Sequence, residues 1–557
     1  MTEMGTPLTL AENLSALGVR QPSLAESIRR AAPDPRLVFL TSRTGLIVPG
    51  IRSGGGTVPF HSLYDPRQES VRFARLFKGA GCIVVSGLGA GFHVSAMLEG
   101  EGACAVVVVE KDVGVLRSLL SHVPLAHLLG NPQLFLAAGV AMIREAILLS
   151  WQPAIMGGLK SAPLRAWCDQ ERVFFDAAAA ETQAAIEAVR DDFSVQSHFG
   201  KRWFVNIVGN LQTAARPQVQ LPHGEDAVVT AAGPSLDLQL ARLAAERNGR
   251  MLVATDTSLP ALLRSGIIPD AVLSIDCQNH GYHHFLQGLP PGVALFLDLA
   301  SPPLLARQTI APIFVASGHP FSRYIDSRWL RLPRIDTSGG NVAHAAVSLA
   351  HVLGARRVTV YGADFCYPEG KAYARGTYLY DYFWSDQSRV SPAEARFFAF
   401  VCGNASSPAR REVRAGRVLY TSPLLNGYRD RFLGLVDSID AEIIPVPGAG
   451  LELPGSRGTT PLPNTVSAPE WRQESKAPQR GWRKFLAEYS RSVELLPAFS
   501  AGSPETEREL WNTLLPVAAR VVKEGLMPGL GALEEARRWC LERIRRFVPT
   551  PGDGFQP

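Results

Sequence analysis

The sequence lacks most of the features that mark a special environment. Its seven cysteines stand apart, with no C-x-x-C pair. A scattered, odd-numbered set argues against a disulfide framework or a zinc ribbon; reduced thiols and a cytoplasmic location are expected. No apolar run reaches the roughly eighteen residues that a membrane span requires. The opening MTEMGTPLTLAENLSALG has neither a basic start nor an apolar core, so no secretory leader is expected. Arginine is scattered, without a basic block or a basic stripe interleaved with aromatics, and the net charge is +5; nucleic acid is not implied. No carboxylate and histidine spacing points to a metal site, and none is expected. No internal repeat stands out. What remains is a chain of 557 residues, 46% hydrophobic and 19% charged. That suits a globular protein of about two to four domains with ample core.

The stretch from Val228 to Asp276 organises the rest. Val228–Ala232 is short, apolar and β-prone, and Gly233 and Pro234 bound it, as at the end of a buried strand. Ser235 and Asp237 open the leucine- and alanine-rich run Leu238–Ala245, a helix-start signal. Gly233-Pro234-Ser235 should therefore join a strand's carboxyl end to a helix's amino end, where N–H groups and the helix dipole favour a phosphate or carboxylate. Further strands are expected at Met251–Ala254, leading to Asp256, and at Ala271–Ser274, leading to Asp276. Others follow at Val293–Leu297, Ile313–Ala316 and Arg357–Tyr361. Ligands of an open parallel sheet sit outside the carboxyl ends of its strands, so Gly233, Asp256 and Asp276 should share one cleft, with both carboxylates facing into it.

Residues Ile335–Phe383 form a second informative segment. Thr337-Ser338-Gly339-Gly340-Asn341 precedes a helix expected over Val342–Leu353, and the next strand delivers Gly362-Ala363-Asp364. A Pro368-Glu369-Gly370 turn leads to Tyr373, Arg375, Tyr378, Tyr380 and Tyr382. Such a loop either packs on the surface or forms a lid that grips a sugar or phosphate. His280, His283 and His284 follow Asp276 and read either as a solvent-facing loop or as the source of a general base.

Residues 1–75 suggest a small β-containing region, with strands at Arg36–Thr41 and Thr44–Pro49. Cys82–Ser86, the turn Gly87-Leu88-Gly89-Ala90-Gly91 and the strand Ala103–Val109, ending on Glu110, follow the mononucleotide-binding pattern. They also resemble the first motif of adenosylmethionine-dependent methyltransferases. The motif departs from G-x-G-x-x-G and no catalytic set follows it, so a Rossmann-like scaffold without ligand is favoured. Asp176–Val189 reads as a helical connector, Arg410–Arg417 as a charged exposed stretch, and Ile443–Gln479 as a proline- and glycine-rich linker or wrap. Three helices are expected at Trp482–Leu496, Glu505–Gly525 and Leu530–Phe547. The fold class is α/β: an N-terminal domain with a Rossmann-like unit (1–190), a larger Rossmann-like central domain (191–450), and a linker with a helical C-terminal domain (451–557).

The pair GPSLD…ATDTSLPALLRSGIIPDAVLSID and TSGGNVAHAAVSLAHVLGARRVTVYGADF resembles the MptE-like central domain of motility-associated factor (Maf) proteins. GLGAGFHV…VVVVEKD resembles their N-terminal domain, and the helices beyond residue 480 their C-terminal region. The resemblance implies a bacterial glycosyltransferase that attaches a nonulosonic acid, of pseudaminic or legionaminic type, to flagellin, as flagellum assembly and motility require. The central domain is also similar to CMP-sialic-acid-dependent sialyltransferases. That similarity implies a CMP-activated donor, no bound cofactor, no metal and an inverting reaction. It assigns Gly233, Pro234 and Ser235 to the cytidine or phosphate, and Asp256 and Asp276 to polar nucleotide contacts, with Gly362 and Asp364 beside them. It assigns Thr337, Ser338 and Gly339 to the donor's carboxylate or phosphate, and Tyr373, with Arg375, to the leaving phosphate. The sialyltransferases draw a catalytic histidine from beyond the G-x-D-F segment; here the last histidine is His351, so that residue is absent. Candidates for the base are His280, His284 and Asp381, with His319 a rival. The domain type also resembles an archaeal pterin pyrophosphokinase, in which Asp256 and Asp276 would hold magnesium for ATP. A non-catalytic flagellin-binding factor is the third possibility.

Overall fold

A computed structural model describes residues 7–99, 105–216, 218–247, 249–385, 387–403, 407–414, 416–456, 470–475, 478, 480–499, 503–527 and 529–548. The chain divides into two compact units, Met1–Gly200 with Val493–Cys540, and Lys201–Ser492 with Leu541–Pro557.

The first unit opens with an antiparallel meander, β1 (Leu37–Thr41), β2 (Ile47–Ser53) and β3 (Gly56–Pro59). Its main sheet is parallel, in the order β6-β5-β4-β7, built from β4 (Cys82–Ser86), β5 (Ala105–Glu110), β6 (Leu134–Ala138) and β7 (Leu159–Pro163). The central strands are apolar throughout because both faces are covered. Ile83, Val85, Val106 and Val108 enter one buried cluster. Cys82, Val84, Val107 and Val109, pointing the other way, enter a second. The connector expected at Asp176–Val189 is part of one helix of 43 residues, Arg172–Ala214. No proline interrupts it, and its residues from Lys201 onward belong to the second unit. The three helices beyond the linker are Trp482–Glu494, Glu505–Lys523 and Leu530–Arg545.

The second unit begins with β8 (Gln218–His223), which pairs antiparallel with β19 (Glu470–Ser475). Its centre is a seven-stranded sheet in the order β13-β12-β11-β10-β9-β14-β18, and every pairing is parallel. The strands are β9 (Asp226–Thr230), β10 (Met251–Thr255), β11 (Ala271–Ser274), β12 (Ala294–Asp298), β13 (Ile313–Val315), β14 (Arg357–Tyr361) and β18 (Glu442–Pro445). The chain steps outward from β9 to β13, then returns to the other side of β9 for β14. The order thus reverses between β9 and β14, the crevice where such sheets bind ligands. The helix Val342–Val352 brings Ala345, Ala346, Leu349 and Ala350 onto the sheet, and Pro423–Ser438 brings Phe432, Leu435 and Val436. Asn341 caps the first of these, accepting the His344 N–H at 2.9 Å. A small antiparallel sheet, in the order β15-β17-β16, comprises β15 (Tyr367–Pro368), β16 (Arg410–Arg414) and β17 (Arg417–Thr421). The charged stretch Arg410–Arg417 is therefore a hairpin. Of the proline-rich stretch, residues 457–469 lie outside the described residues. The α/β class with Rossmann-like units and C-terminal helices is what the sequence leads one to expect.

Candidate functional site

The glycine turn of the first unit is filled by the protein itself. Glu110, the carboxylate expected to take a ribose, is 1% exposed. It accepts from Leu88 N at 3.0 Å, Lys111 N at 2.9 Å and Trp167 Nε1 at 2.7 Å. His61 Nε2 accepts from Ala90 N at 3.1 Å. Gly89 has φ +51°, and a Cβ there would lie 2.4 Å from His61 Nε2. The glycine admits an imidazole from the protein rather than a nucleotide. His61 and His93 are buried with ring centroids 5.2 Å apart. Burial pushes both pKa values down, His61 well below the usual range with His93 adding to the effect, and His93 to about 4.

The turn after β9 is filled in the same way. Gly233 N donates to Gly362 O at 2.9 Å, tying the end of β9 to that of β14. Ser235 N donates to Asp364 Oδ2 at 2.8 Å, and the Ser235 hydroxyl donates to Asp364 Oδ1. Leu236 N and Asp237 N bond within the turn, to Gly233 O and Pro234 O. Ala449 N donates to Ser235 Oγ at 2.6 Å, closing a loop over the pair. The anion at this helix N-terminus is thus Asp364. Gly233, Pro234, Ser235, Gly362 and Asp364, assigned from the sequence to the nucleotide, form a latch across the switch point. The N–H groups meant for a phosphate are already taken. Ser235 is the first helical residue and caps nothing.

The open chemistry lies one and two strands away. Asp256, 2% exposed, accepts from Thr257 N at 2.6 Å, from Thr257 Oγ1 at 3.0 Å and from the Ser274 hydroxyl of β11 at 2.6 Å. Asp276 is half-buried and accepts from Gln278 N at 2.9 Å. Burial raises the Asp276 carboxyl, and the Asp256 carboxylate adds to the rise. Tyr378, at the start of the helix Tyr378–Trp384, is raised first by burial and then by Asp276 and Asp256. Tyr373 is raised furthest, by burial first, with Tyr367, Tyr378, Asp256 and Tyr428 all close enough to add. Four phenols and an acidic pair thus converge. Each phenol stays protonated and is a hydrogen-bond donor. The Tyr373 hydroxyl makes no hydrogen bond among the described residues. Sequence reasoning singled out Tyr373 and Tyr378 but missed Tyr367 and Tyr428. A signal for the latter was Tyr428-x-x-Arg431, one face of a helix.

Arg431 sits over the Tyr428 ring, 5.4 Å from its centroid, and donates to Gly339 O at 3.2 Å. It links the tyrosines to the Thr337–Asn341 turn. There Ser338 N donates to Asp336 Oδ1 at 2.8 Å, and His344 Nε2 meets Asp336 Oδ2 at 3.0 Å. His283 and His284 both pack on Tyr378, with centroids 5.2 and 4.9 Å away, and His284 Nδ1 is buried without a hydrogen-bond partner among the described residues. His280 is exposed and close enough to Asp276 to oppose the rise of its carboxyl. Asp381 is exposed and ion-paired with Arg264. Arg375 is exposed; its backbone N–H donates to Asp237 Oδ1 at 2.8 Å, and Tyr380 and Asp237 neighbour its guanidinium. His319 packs against Trp203 at 4.0 Å. Among the described residues no cluster of three His, Cys, Asp or Glu side chains is arranged to hold a metal. No described helix is long and apolar enough to cross a membrane.

This arrangement is an α/β domain with polar side chains gathered at the carboxyl edge of a parallel sheet. Residues 201–370 match the family model described as 6-hydroxymethylpterin diphosphokinase MptE-like. An uncharacterized protein of Treponema pallidum (strain Nichols) is 37% identical over 153 residues, 27% of this chain and 53% of that protein. A second from the same organism is 32% identical over 145 residues, 25% of this chain and 67% of that protein. The chain thus spans about half the length of the first relative, and it belongs to the same family as the second. A solved structure, described as a Maf glycosyltransferase from Magnetospirillum magneticum AMB-1, shares the fold over 97% of this chain and 90% of its own, with a TM-score of 0.53 at 15% identity. The central region is MptE-like and the fold is that of a Maf protein, so the family resemblance carried by the sequence motifs stands.

Proposed function

We propose that this protein is a glycosyltransferase that moves a nonulosonic acid from a CMP-activated donor to serine or threonine hydroxyls of flagellin. One observation carries the reading: the Tyr373 hydroxyl, held protonated beside Tyr378 and Asp256, makes no hydrogen bond among the described residues. The bond between the sugar's anomeric carbon and the phosphate oxygen breaks, and negative charge gathers on the departing CMP. Tyr373 and Tyr378 donate hydrogen bonds to those phosphate oxygens, which stabilises the leaving group without a cation. Asp256 and Asp276 accept from the nucleotide's hydroxyl or amino groups. Ser338 and Thr337 meet the donor carboxylate. The acceptor oxygen attacks from the opposite face, inverting the anomeric centre, and its proton passes to His284, whose Nδ1 has no hydrogen-bond partner among the described residues.

The test is to incubate the protein with a CMP-nonulosonic acid and flagellin, with and without chelator. The reading expects release of CMP and a matching gain in flagellin mass under both conditions. The family model over residues 201–370 supports a second reading, diphosphoryl transfer from ATP. Formation of AMP from ATP and a hydroxymethylpterin, dependent on magnesium and without CMP release, would establish that one instead. Flagellin binding with neither reaction would leave a non-catalytic factor.

A further inference from the structure

The segment from Tyr378 to Thr421 exposes Tyr382, Trp384, Phe398, Phe400 and Val413. Scattered single apolar residues on a surface need no account. Here these five and Val390 lie in one segment that ends at an open sheet edge. In the order β15-β17-β16, the outer strand β16 is paired on one side only among the described residues. An open edge is a template for another strand, and charges on it discourage any partner that does not neutralise them. The strand reads Arg410-Arg411-Glu412-Val413-Arg414, and all but Glu412 are exposed. Glu412 is engaged by the Thr421 hydroxyl at 2.6 Å and by Arg414 at 2.8 Å. Arg410 and Arg411 form no ion pair among the described residues. The edge therefore offers backbone hydrogen bonds and a net positive charge on each face: Arg411 on one, and Arg410 and Arg414 around Glu412 on the other.

This edge is continuous with the cleft. Across the small sheet Tyr420 is directly opposite Tyr367, one of the converging phenols. Phe398 packs on Tyr420 at 5.5 Å, and Phe400 lies 6.3 Å from Tyr373. Exposed aromatic rings thus mark a path from the strand edge to the unpartnered phenol.

We propose that β16 docks the protein acceptor. An extended, acidic segment of the acceptor adds to β16 as a fourth strand, its carboxylates at consecutive positions so that one meets Arg410 on one face and the next meets Arg411 on the other. Its chain then crosses the aromatic path and presents a hydroxyl at Tyr373. The inference rests on the glycosyl-transfer reading of the cleft. Strands are spaced about 4.8 Å, so the added strand lies about 14 Å from β15; at roughly 3.3 Å per residue, about four or five residues separate the docked segment from the modified hydroxyl.

The experiment compares the wild-type chain with Arg410→Glu/Arg411→Glu and Arg410→Lys/Arg411→Lys. One readout is binding of a labelled serine-containing peptide with a run of consecutive glutamates, against the same peptide with glutamines. The second is CMP release from the donor in water without any acceptor. The expected result is that charge reversal weakens the glutamate peptide about tenfold or more. The lysine variant should bind within about twofold of wild type, and donor hydrolysis should be equal in all three. Equal glutamate-peptide binding by the charge-reversed variant, or equal binding of the glutamine peptide by wild type, overturns the docking proposal. Absence of donor hydrolysis in every chain counts instead against the glycosyl-transfer reading, and the peptide comparison still decides the docking edge.

Discussion

Two strand–glycine–helix turns of the same local design recur in this chain, one after β4 and one after β9. Both are occupied from within. Glu110, Trp167 and His61 fill the first, and Asp364 fills the second. What differs is the neighbourhood. Beside the first turn β5 ends on a carboxylate already saturated by three donors. Beside the second, β10 and β11 lead to Asp256 and Asp276, with Tyr373 and Tyr378 close to them and Tyr367 and Tyr428 beside Tyr373. A glycine turn in an α/β sheet is thus an architectural joint, and the site is made by the polar side chains that remain uncommitted next to it.

Replacing Tyr373 by Phe should expose this contrast most strongly. Removing a transition-state hydrogen-bond donor costs about 10²–10³ in kcat. Because the hydroxyl makes no hydrogen bond among the described residues, the thermal midpoint should hold. Single-turnover transfer and a melting curve on one preparation check both, and an unchanged kcat would remove Tyr373 from the chemistry.

Asp256→Asn and Asp276→Asn come next. An asparagine at 256 still accepts from Thr257 N, and its amide can donate to the Ser274 hydroxyl, so folding should be little affected. A lost charged hydrogen bond to the nucleotide is worth roughly 1.5–3 kcal/mol, about tenfold to a hundredfold in donor affinity. Donor titration that matches wild type in both variants would make these residues purely structural.

Gly89→Ala and Gly233→Ala sharpen the comparison from the side of stability. At 89 a Cβ meets His61 Nε2 at 2.4 Å in a left-handed backbone, and at 233 it meets Asp364 Oδ2 at 2.5 Å. Each should cost roughly 1–3 kcal/mol in denaturant unfolding. Only the second should weaken donor binding, because its latch borders the cleft. Equal donor affinity in the two variants would count against that assignment.

Acid should act on the first unit. His61 and His93 are neutral when folded, with pKa values lowered by burial, and regain the usual value near 6.5 when unfolded. The unfolded chain then binds more protons below pH 6.5, so stability falls as pH drops from there toward about 4. The slope is about 1.4 kcal/mol per pH unit for each histidine. Denaturation followed by tryptophan fluorescence at successive pH values, in wild type and in a His61→Gln/His93→Gln variant, measures it, and profiles of equal slope over that range would contradict the buried neutral pair.

The strands and both turns were readable because buried parallel strands are short, wholly apolar runs punctuated by glycine. What filled the turns was not. Asp364 reaches Ser235 from 129 positions away, and a helix start looks the same locally whether a ligand or a distant carboxylate takes its N–H groups. Tyr367 and Tyr428 likewise joined the site through tertiary packing. The hairpin at Arg410–Thr421 was masked by its charges: an exposed edge strand lacks the apolar alternation that announces a half-buried one. The acidic residues at the ends of β10 and β11 were visible. That Asp256 also holds Thr257 and Ser274 was not.

Hydrogen exchange on adding CMP tests the central contrast most directly. The account predicts slowed exchange in peptides covering 253–258, 273–284 and 367–384, with no change across 86–93. Protection across 86–93, with exchange in the other three segments unaltered, would move the nucleotide to the first unit and contradict it.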